Sequence, residues 1–284
     1  MVKILADSTC DLSTELIERY GITIIPLHVI MRDRDYLDGV DITPDEIYEI
    51  ADANRMTPKT TAPDIGEIMG IMAKEFVFAD ELVCFGVSSE MSSSVNNMTF
   101  AAEELDVSEK VFVIDSRNLS TGVGHLVIKA AELAAEGKSG KQIYDEIHEI
   151  IPRVSASFVV DTMTYLYRGG RCNGLAALFG SALKIHPMIY VEDGKMDVGK
   201  KYRGKYSNII LNYAKDREEE LMNAETDRVF ITHSGCDSEI VNRVYDYLTE
   251  LDIFDEVLIT RAGGVVSSHC GPGTLGVLFI RKKQ

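Results

Sequence analysis

A few short stretches of this chain carry side chains able to hold an anion or move a proton. The segment GGVVSSHCGPGTLGV at 263–277 sets His269 and Cys270 between two glycine-rich runs. An imidazole there can donate a hydrogen bond to an anion or act as a base. The adjacent thiol is a conceivable nucleophile, but nothing marks it as activated. A lone histidine is more often structural, and its place between glycines at a strand entry weighs the other way. The segment GVSSEMSSSVNN at 86–97 reads as a strand, a serine-rich turn and a helix start. Ser92 or Ser93 can offer a hydroxyl beside the unpaired N–H groups of that helix, which together make a small anion site. Capping plus a solvated turn accounts for the same serines.

Two further segments add donors. MTPKTTAPD at 56–64 brackets Thr60 and Thr61 with prolines that stiffen the chain. Asp64 can cap the following helix, and taken alone the segment reads as a rigid turn. TMTYLYRGGRCNG at 162–174 ends a helical stretch on a glycine cap and presents Arg168 and Arg171. Lys195, Lys200, Lys201, Arg203 and Lys205 follow, either a basic patch or a solvated face of a hairpin. There is no P-loop, no G-x-G-x-x-G after the first strand, no H-E-x-x-H and no G-x-S-x-G. Neither a metal nor a cofactor is expected, and no catalytic residue is assigned. The five cysteines are isolated and odd in number, which predicts free thiols in a reducing cytoplasm.

The elements that position these segments follow from patterning. Strand-like runs at 2–6, 22–30, 81–87 and 110–115 alternate with helices opened at Ser13, at Thr43 with Pro44 and Glu46, at the serines of 92–105, and at 121–136 and 141–151. Strand and helix at this spacing predict a parallel α/β sheet. The second half reads as a strand at 153–161, a hairpin about Asp193-Gly194, helices at 205–222 and 237–251, and strands in EVLITRAGGVV and GTLGVLFIRKK. That is a mixed-sheet α+β pattern. The expected architecture is therefore two domains, an N-terminal α/β domain over 1–155 and a C-terminal α+β domain over 156–284. In an open α/β sheet the ligand crevice lies beyond the carboxyl ends of the strands, where the polar segments fall.

Charge sharpens the division. The 284 residues hold 29 Lys+Arg and 45 Asp+Glu, a net charge of -16. Residues 1–155 contain 28 acidic and 13 basic side chains, net -15; residues 156–284 contain 17 and 16, net -1. Such acidity argues against nucleic-acid binding and against electrostatic attachment to anionic lipid. No apolar run approaches the roughly 20 residues of a membrane helix, so no stable membrane insertion is expected, and MVKILADST is not a signal peptide.

Taken together the segments resemble the DegV family of bacterial fatty-acid-binding proteins. The parts are DSTCDL (7–12), PKTTAP (58–63), SSEMSSS (88–94), DSRNLSTGVG (115–124), YLYRGGR (165–171) and HCGPGTLGV (269–277), in order over essentially the whole chain. The resemblance implies one long-chain fatty acid in the cleft between the domains, its tail in an apolar tunnel. It implies a carboxylate held by Thr60 and Ser92, with His269 nearby and Thr61 and Ser93 beside them. It further implies presentation of the acid to a separate ATP-dependent fatty acid kinase that forms an acyl phosphate, with Arg171 on the docking surface. The chain departs from the family pattern at Thr61-Ala62 for Ser-Gln, at Ser93 for Gly, and at His186 for Lys before Pro187. Candidate tunnel residues on helical runs are Met69, Met72, Phe76, Leu178, Phe179 and Leu183, although such residues are more often ordinary core than ligand wall. Two other functions fit the same residues. One is a hydrolase or phosphoryl-transfer enzyme using His269, Ser92 and the Asp7 segment. The other is a binder of a different small carboxylate or phosphate.

Overall fold

A computed structural model of the chain describes residues 1–172, 174–175 and 185–283. The N-terminal half begins with β1 (Val2–Asp7), α1 (Thr14–Tyr20) and β2 (Thr23–Ile25). Ser13 caps α1 through the Leu16 N–H, and Gly21 closes it in the left-handed conformation. After Pro26 the chain leaves this sheet and forms β3 (His28–Met31) and β4 (Arg34–Leu37). Helix α2 (Pro44–Asn54) starts at the capping box of Thr43 and Glu46 with Pro44 in its first turn. Then come β5 (Lys59–Thr61), α3 (Ile65–Glu75), β6 (Glu81–Gly86), α4 (Ser94–Glu104), β7 (Val111–Asp115), α5 (Thr121–Ala135) and α6 (Gly140–Ile150).

Strands β2-β1-β6-β7 make a four-stranded parallel sheet, and β4-β3-β5 a separate antiparallel one. Strand β5 lies inside the segment expected to be a plain turn. Three residues between prolines carry no period, and pairing with β3 creates the strand. The second half contains β8 (Val154–Val159), α7 (Thr164–Gly169), β9 (His186–Glu192), β10 (Lys195–Tyr202), α8 (Tyr206–Asp216), α9 (Glu218–Met222), β11 (Arg228–His233), α10 (Ser238–Glu250), β12 (Glu256–Arg261), α11 (Gly264–Cys270) and β13 (Leu275–Ile280). Its six strands form a mixed sheet in the order β10-β9-β8-β13-β11-β12. The expected helix at 205–222 divides at Arg217 into α8 and α9. The fold class is as expected: a parallel-sheet α/β region followed by a mixed-sheet α+β region.

One helix serves both sheets. Residues Thr121–Ile128 of α5 are all buried. Its Val123, Leu126 and Val127 pack with Ile4, Val83 and Ile114 of the parallel sheet and with Val154, Phe230 and Leu278 of the mixed sheet in a single apolar cluster. His125 on the same helix bonds the Leu278 carbonyl at 3.0 Å and meets the Phe230 ring edge-on. Apolar faces of two sheets on one helix give continuous burial, so the polar segments at the strand ends are held against a shared support. No helix among the described residues is long and apolar enough to cross a membrane.

Helix α11 differs from expectation. GGVV reads as the end of a strand, since β-branched residues favour strand and glycine disfavours helix. A tertiary cap overrides that preference. The Gly263 N–H donates to Asp11 Oδ1 at 2.8 Å and the Gly264 N–H to Asp38 Oδ1 at 2.6 Å, from residues 252 and 226 positions away. Carboxylates are favoured at a helix N-terminus, where unpaired N–H groups point outward.

Candidate functional site

The polar segments meet at one cavity of about 290 Å³. Its lining includes Thr60, Thr61 and Ala62 from β5 and its end, Met91, Ser92 and Ser93 from the turn before α4, Arg171 after α7, and Val265, Val266, His269 and Cys270 along one face of α11. Leu27, Val87, Leu119 and Met196 complete a largely apolar wall. The volume sits at the lower edge of the roughly 300–1,000 Å³ usual for small-molecule pockets. Sequence patterning missed most of that wall. Leu27 belongs to a run that reads as strand, Leu119 stands alone between polar neighbours, and Val265-Val266 read as the end of a strand.

The tunnel residues expected on α3 are elsewhere. Met69, Met72 and Phe76 pack with Leu5, Ile25, Leu82 and Met98, in core between α3, α4 and the parallel sheet. Helical spacing marks a buried face without saying against which neighbour it is buried. Leu178, Phe179 and Leu183 lie outside the described residues.

The polar end of the cavity is built around His269. Its Nε2 lies 2.8 Å from Thr60 Oγ1. Its Nδ1 is buried without a hydrogen-bond partner, against Gly169, where an added Cβ would overlap it. Burial, with help from the Arg171 charge, pushes the imidazole down to about 4, so it is neutral at pH 7. Hydrogen-bond accounting assigns its proton. With hydrogen on Nε2, the ring donates to Thr60 and leaves only a lone pair facing Gly169. The other tautomer strands an N–H there, a costlier loss. Thr60 then keeps its own hydroxyl hydrogen for a ligand oxygen.

Ser92 is half-buried and accepts the Ser94 N–H at 3.2 Å, so its hydroxyl hydrogen is also free to point outward. Ser93 and Thr61 border the same cavity but are exposed. Ser93 replaces a glycine of the family pattern without backbone strain, since its φ is -82°. Ala62, in the place of the family glutamine, lines the cavity with a methyl group. His186 is buried beside the Tyr206 ring, with Nδ1 3.2 Å from the Val160 carbonyl, and is not part of the lining.

Charge is distributed unevenly around this end. Arg171 is the sole charged side chain among the described lining residues. Its guanidinium reaches the Gly169 carbonyl at 2.6 Å and approaches that of Met91 at 3.5 Å, and among the described residues it has no carboxylate partner. Of the other basic side chains, Lys195 pairs with Glu90 at 3.4 Å, Lys200 with Asp216 at 2.6 Å, and Arg168 donates to the Thr57 hydroxyl at 2.9 Å. The hairpin carrying Met196 is pinned over the cavity where Ser88 Oγ donates to the Gly194 carbonyl at 2.7 Å.

Behind the cavity three carboxyl groups are buried, Asp7, Asp11 and Asp38. Asp7 accepts the Thr9 hydroxyl at 2.5 Å and the Val87 N–H at 2.9 Å. Asp11 Oδ2 accepts Ser120 Oγ at 2.5 Å and Asp38 Oδ2 accepts Ser8 Oγ at 2.8 Å. Burial raises all three above the usual carboxylate range, Asp11 to about 8. Ser120 has φ 54° and ψ -143°, a conformation strained for any residue but glycine, and its bond to Asp11 helps hold it there. Cys270 is buried and its thiol is pushed up, which keeps it protonated and unreactive. No group of three or more His, Cys, Asp or Glu able to hold a metal is found among the described residues.

Known proteins resemble this chain over its whole length. The DegV family model matches residues 1–282. A DegV domain-containing protein of Caldanaerobacter subterraneus subsp. tengcongensis is 32% identical over 284 residues, 99% of each chain. A DegV family structure from Thermus thermophilus, described by its fatty acid binding, superposes with a TM-score of 0.91 at 27% identity, covering 99% of both chains. A stearic-acid-binding protein from Eubacterium ventriosum superposes with a TM-score of 0.85 at 28% identity, again over 99% of both.

Proposed function

The chain belongs to the DegV family, and on that premise we propose that it binds one long-chain fatty acid, carboxylate at the Thr60, Ser92 and His269 end of the cavity and tail along its apolar wall. The Thr60–His269 hydrogen bond at 2.8 Å carries the reading. It joins β5 and α11 across the mouth of an apolar-walled cavity and leaves a hydroxyl hydrogen for a ligand. A carboxylate removed from water needs such donors, because burying it unpaired is expensive. Thr61 and Ser93, at the rim, can supply further donors or ordered water. Each tail methylene taken from water adds about 0.8 kcal/mol, so a long chain binds tightly on a modest polar site. Structural relatives that bind fatty acids support the reading.

Acid extraction of the purified protein followed by mass spectrometry tests it. A long-chain fatty acid at one per chain is the expected result. A lipid-free protein that also fails to bind added oleate or palmitate would sink the proposal.

The chain is further proposed to act as a carrier that presents its ligand to a separate ATP-dependent fatty acid kinase. Arg171 supports this: an exposed cation at the cavity mouth without a carboxylate partner among the described residues suits an acidic docking surface. Arg171→Ala should keep its lipid while acyl-phosphate formation by the cognate kinase falls by at least tenfold, on the scale of one buried charge contact. Full turnover with the variant would remove the docking role. The hydrolase alternative finds less support, since the imidazole is committed to Thr60 and Cys270 is held as a thiol.

A further inference from the structure

Building on the fatty-acid reading of the cavity, we propose that Asp11 and Asp38 are positioning residues for its polar end. They fix α11 by its first turn and thereby set where His269 meets Thr60 and the ligand carboxylate. Neither aspartate lines the cavity, and each bonds the backbone at the start of the helix.

The geometry is that of a short lever. Asp11 and Asp38 take the N–H groups of Gly263 and Gly264, and His269 stands five residues further along. At about 1.5 Å per residue, that is less than 8 Å of rigid helix. Each carboxyl is fixed in turn from the N-terminal half, Asp11 by Ser120 and Asp38 by Ser8, and Ser8 itself takes the Leu27 N–H at 3.1 Å. The approach is close: a Cβ on Gly264 would lie 2.7 Å from Asp38 Oδ1 and from Ile47 Cδ1. Glycine at the helix start thus lets the carboxyl reach the backbone. The far end is tied to the C-terminal half, where Thr274 Oγ1 donates to the Cys270 carbonyl at 3.0 Å. The helix bridges the two regions whose strand ends form the cleft, and the aspartates set its seat on one of them.

Loss of this seat should separate two ligand terms. The His269–Thr60 bond is directional and weakens with a small shift. The apolar wall contributed by Val265 and Val266 is non-directional and tolerates the same shift.

The test measures affinity for oleic acid and for oleyl alcohol, which has the same chain without a carboxylate. The proteins are wild type, Asp38→Asn, His269→Ala and the double variant. Asp38→Asn should weaken oleate about tenfold, the order of one charge-assisted hydrogen bond. Its oleyl alcohol affinity should stay within about twofold, and in the His269→Ala background it should add nothing. Additive losses, or equal losses of acid and alcohol, would show that the aspartate only supports the fold and overturn the inference. If Asp38→Asn does not fold, the same cycle with Asp11→Asn decides in the same way. A wild-type protein that binds neither ligand overturns the fatty-acid reading itself, an outcome distinct from an additive cycle.

Discussion

At its first turn, helix α11 meets two buried carboxyl groups; at its last turn it offers a neutral imidazole to an open cavity. The two ends solve opposite problems. The first turn has unpaired N–H donors with no water to satisfy them, and Asp11 and Asp38 supply acceptors from distant parts of the chain. The last turn faces the cavity proposed to accept a carboxylate. There the acidic residues are absent from the described lining, and hydroxyls and an imidazole take their place, with Arg171 exposed at the rim. A protein of net charge -16 thus keeps buried carboxyl groups behind the helix and its donors in front. The local arrangement, more than the overall field, decides what the cavity can hold.

The sharpest way to break this contrast is pH, because the two ends titrate with opposite sign. His269 is pushed down to about 4 from an ordinary value near 6.5. The unfolded chain therefore binds more protons between these values. Its contribution to stability is complete above pH 6.5 and is lost as pH falls toward 4. His125, also pushed down to about 4 by burial, acts in the same direction. Asp11 is pushed up to about 8, so the folded chain holds the extra proton. Its contribution is complete below the unfolded value near 4 and is lost as pH rises toward 8. At about 1.4 kcal/mol per pH unit, the imidazole is worth on the order of 3 kcal/mol across its window and Asp11 roughly 6, before relaxation reduces both. Urea unfolding from pH 4 to 8 should show Asp11→Asn losing stability more steeply than wild type as pH falls below 6.5. His269→Gln should lose stability less steeply there. Parallel curves for all three proteins would mean that the two ends do not differ in protonation as argued.

A second test leaves the carboxyl end alone and empties the imidazole end. Thr60→Ala with Ser92→Ala removes two hydroxyl donors from partly exposed positions. The loss should be about 2 kcal/mol of carboxylate binding, roughly thirtyfold in affinity, with little change in melting temperature. Isothermal titration with oleate and a thermal melt check the two halves of that statement. Unchanged affinity would move the carboxylate away from these residues.

The same contrast explains what sequence could and could not reveal. Helix α2 was legible because its cap is local: Thr43, Pro44 and Glu46 are neighbours and form the box themselves. The hairpin at Asp193-Gly194 was legible for the same reason, a turn whose shape is set by its own residues. Helix α11 was not, because its caps come from the beginning of the chain and its own residues favour another structure. Strand β5 was hidden because its pairing partner defines it. The polar residues of the site stood out by type and spacing, and the structure brings Thr60, Thr61, Ser92, Ser93, Arg171 and His269 to one cavity. The apolar wall did not stand out. Met72 on α3 and Val265 on α11 are both apolar residues on helices, and only the packed structure shows that one faces core and the other the cavity.

The smallest expected effect tests how tightly the imidazole itself is held. Gly169 closes α7 with its Cα against His269, and a methyl group there would overlap Nδ1. The ring lies on a helix pinned at both ends, so it cannot simply swing clear. Gly169→Ala should tilt it and lengthen the bond to Thr60 without removing either partner. A partly weakened neutral hydrogen bond is worth about 1 kcal/mol, so oleate affinity should fall roughly fivefold. Oleyl alcohol affinity should change little, because the apolar wall is not displaced. Combining Gly169→Ala with His269→Ala should then recover part of any lost stability, since the smaller side chain leaves room for the added methyl. If Gly169→Ala instead binds oleate as tightly as wild type, the imidazole has freedom that its buried, unpartnered Nδ1 does not suggest, and the imidazole end of the helix is less ordered than the carboxyl end.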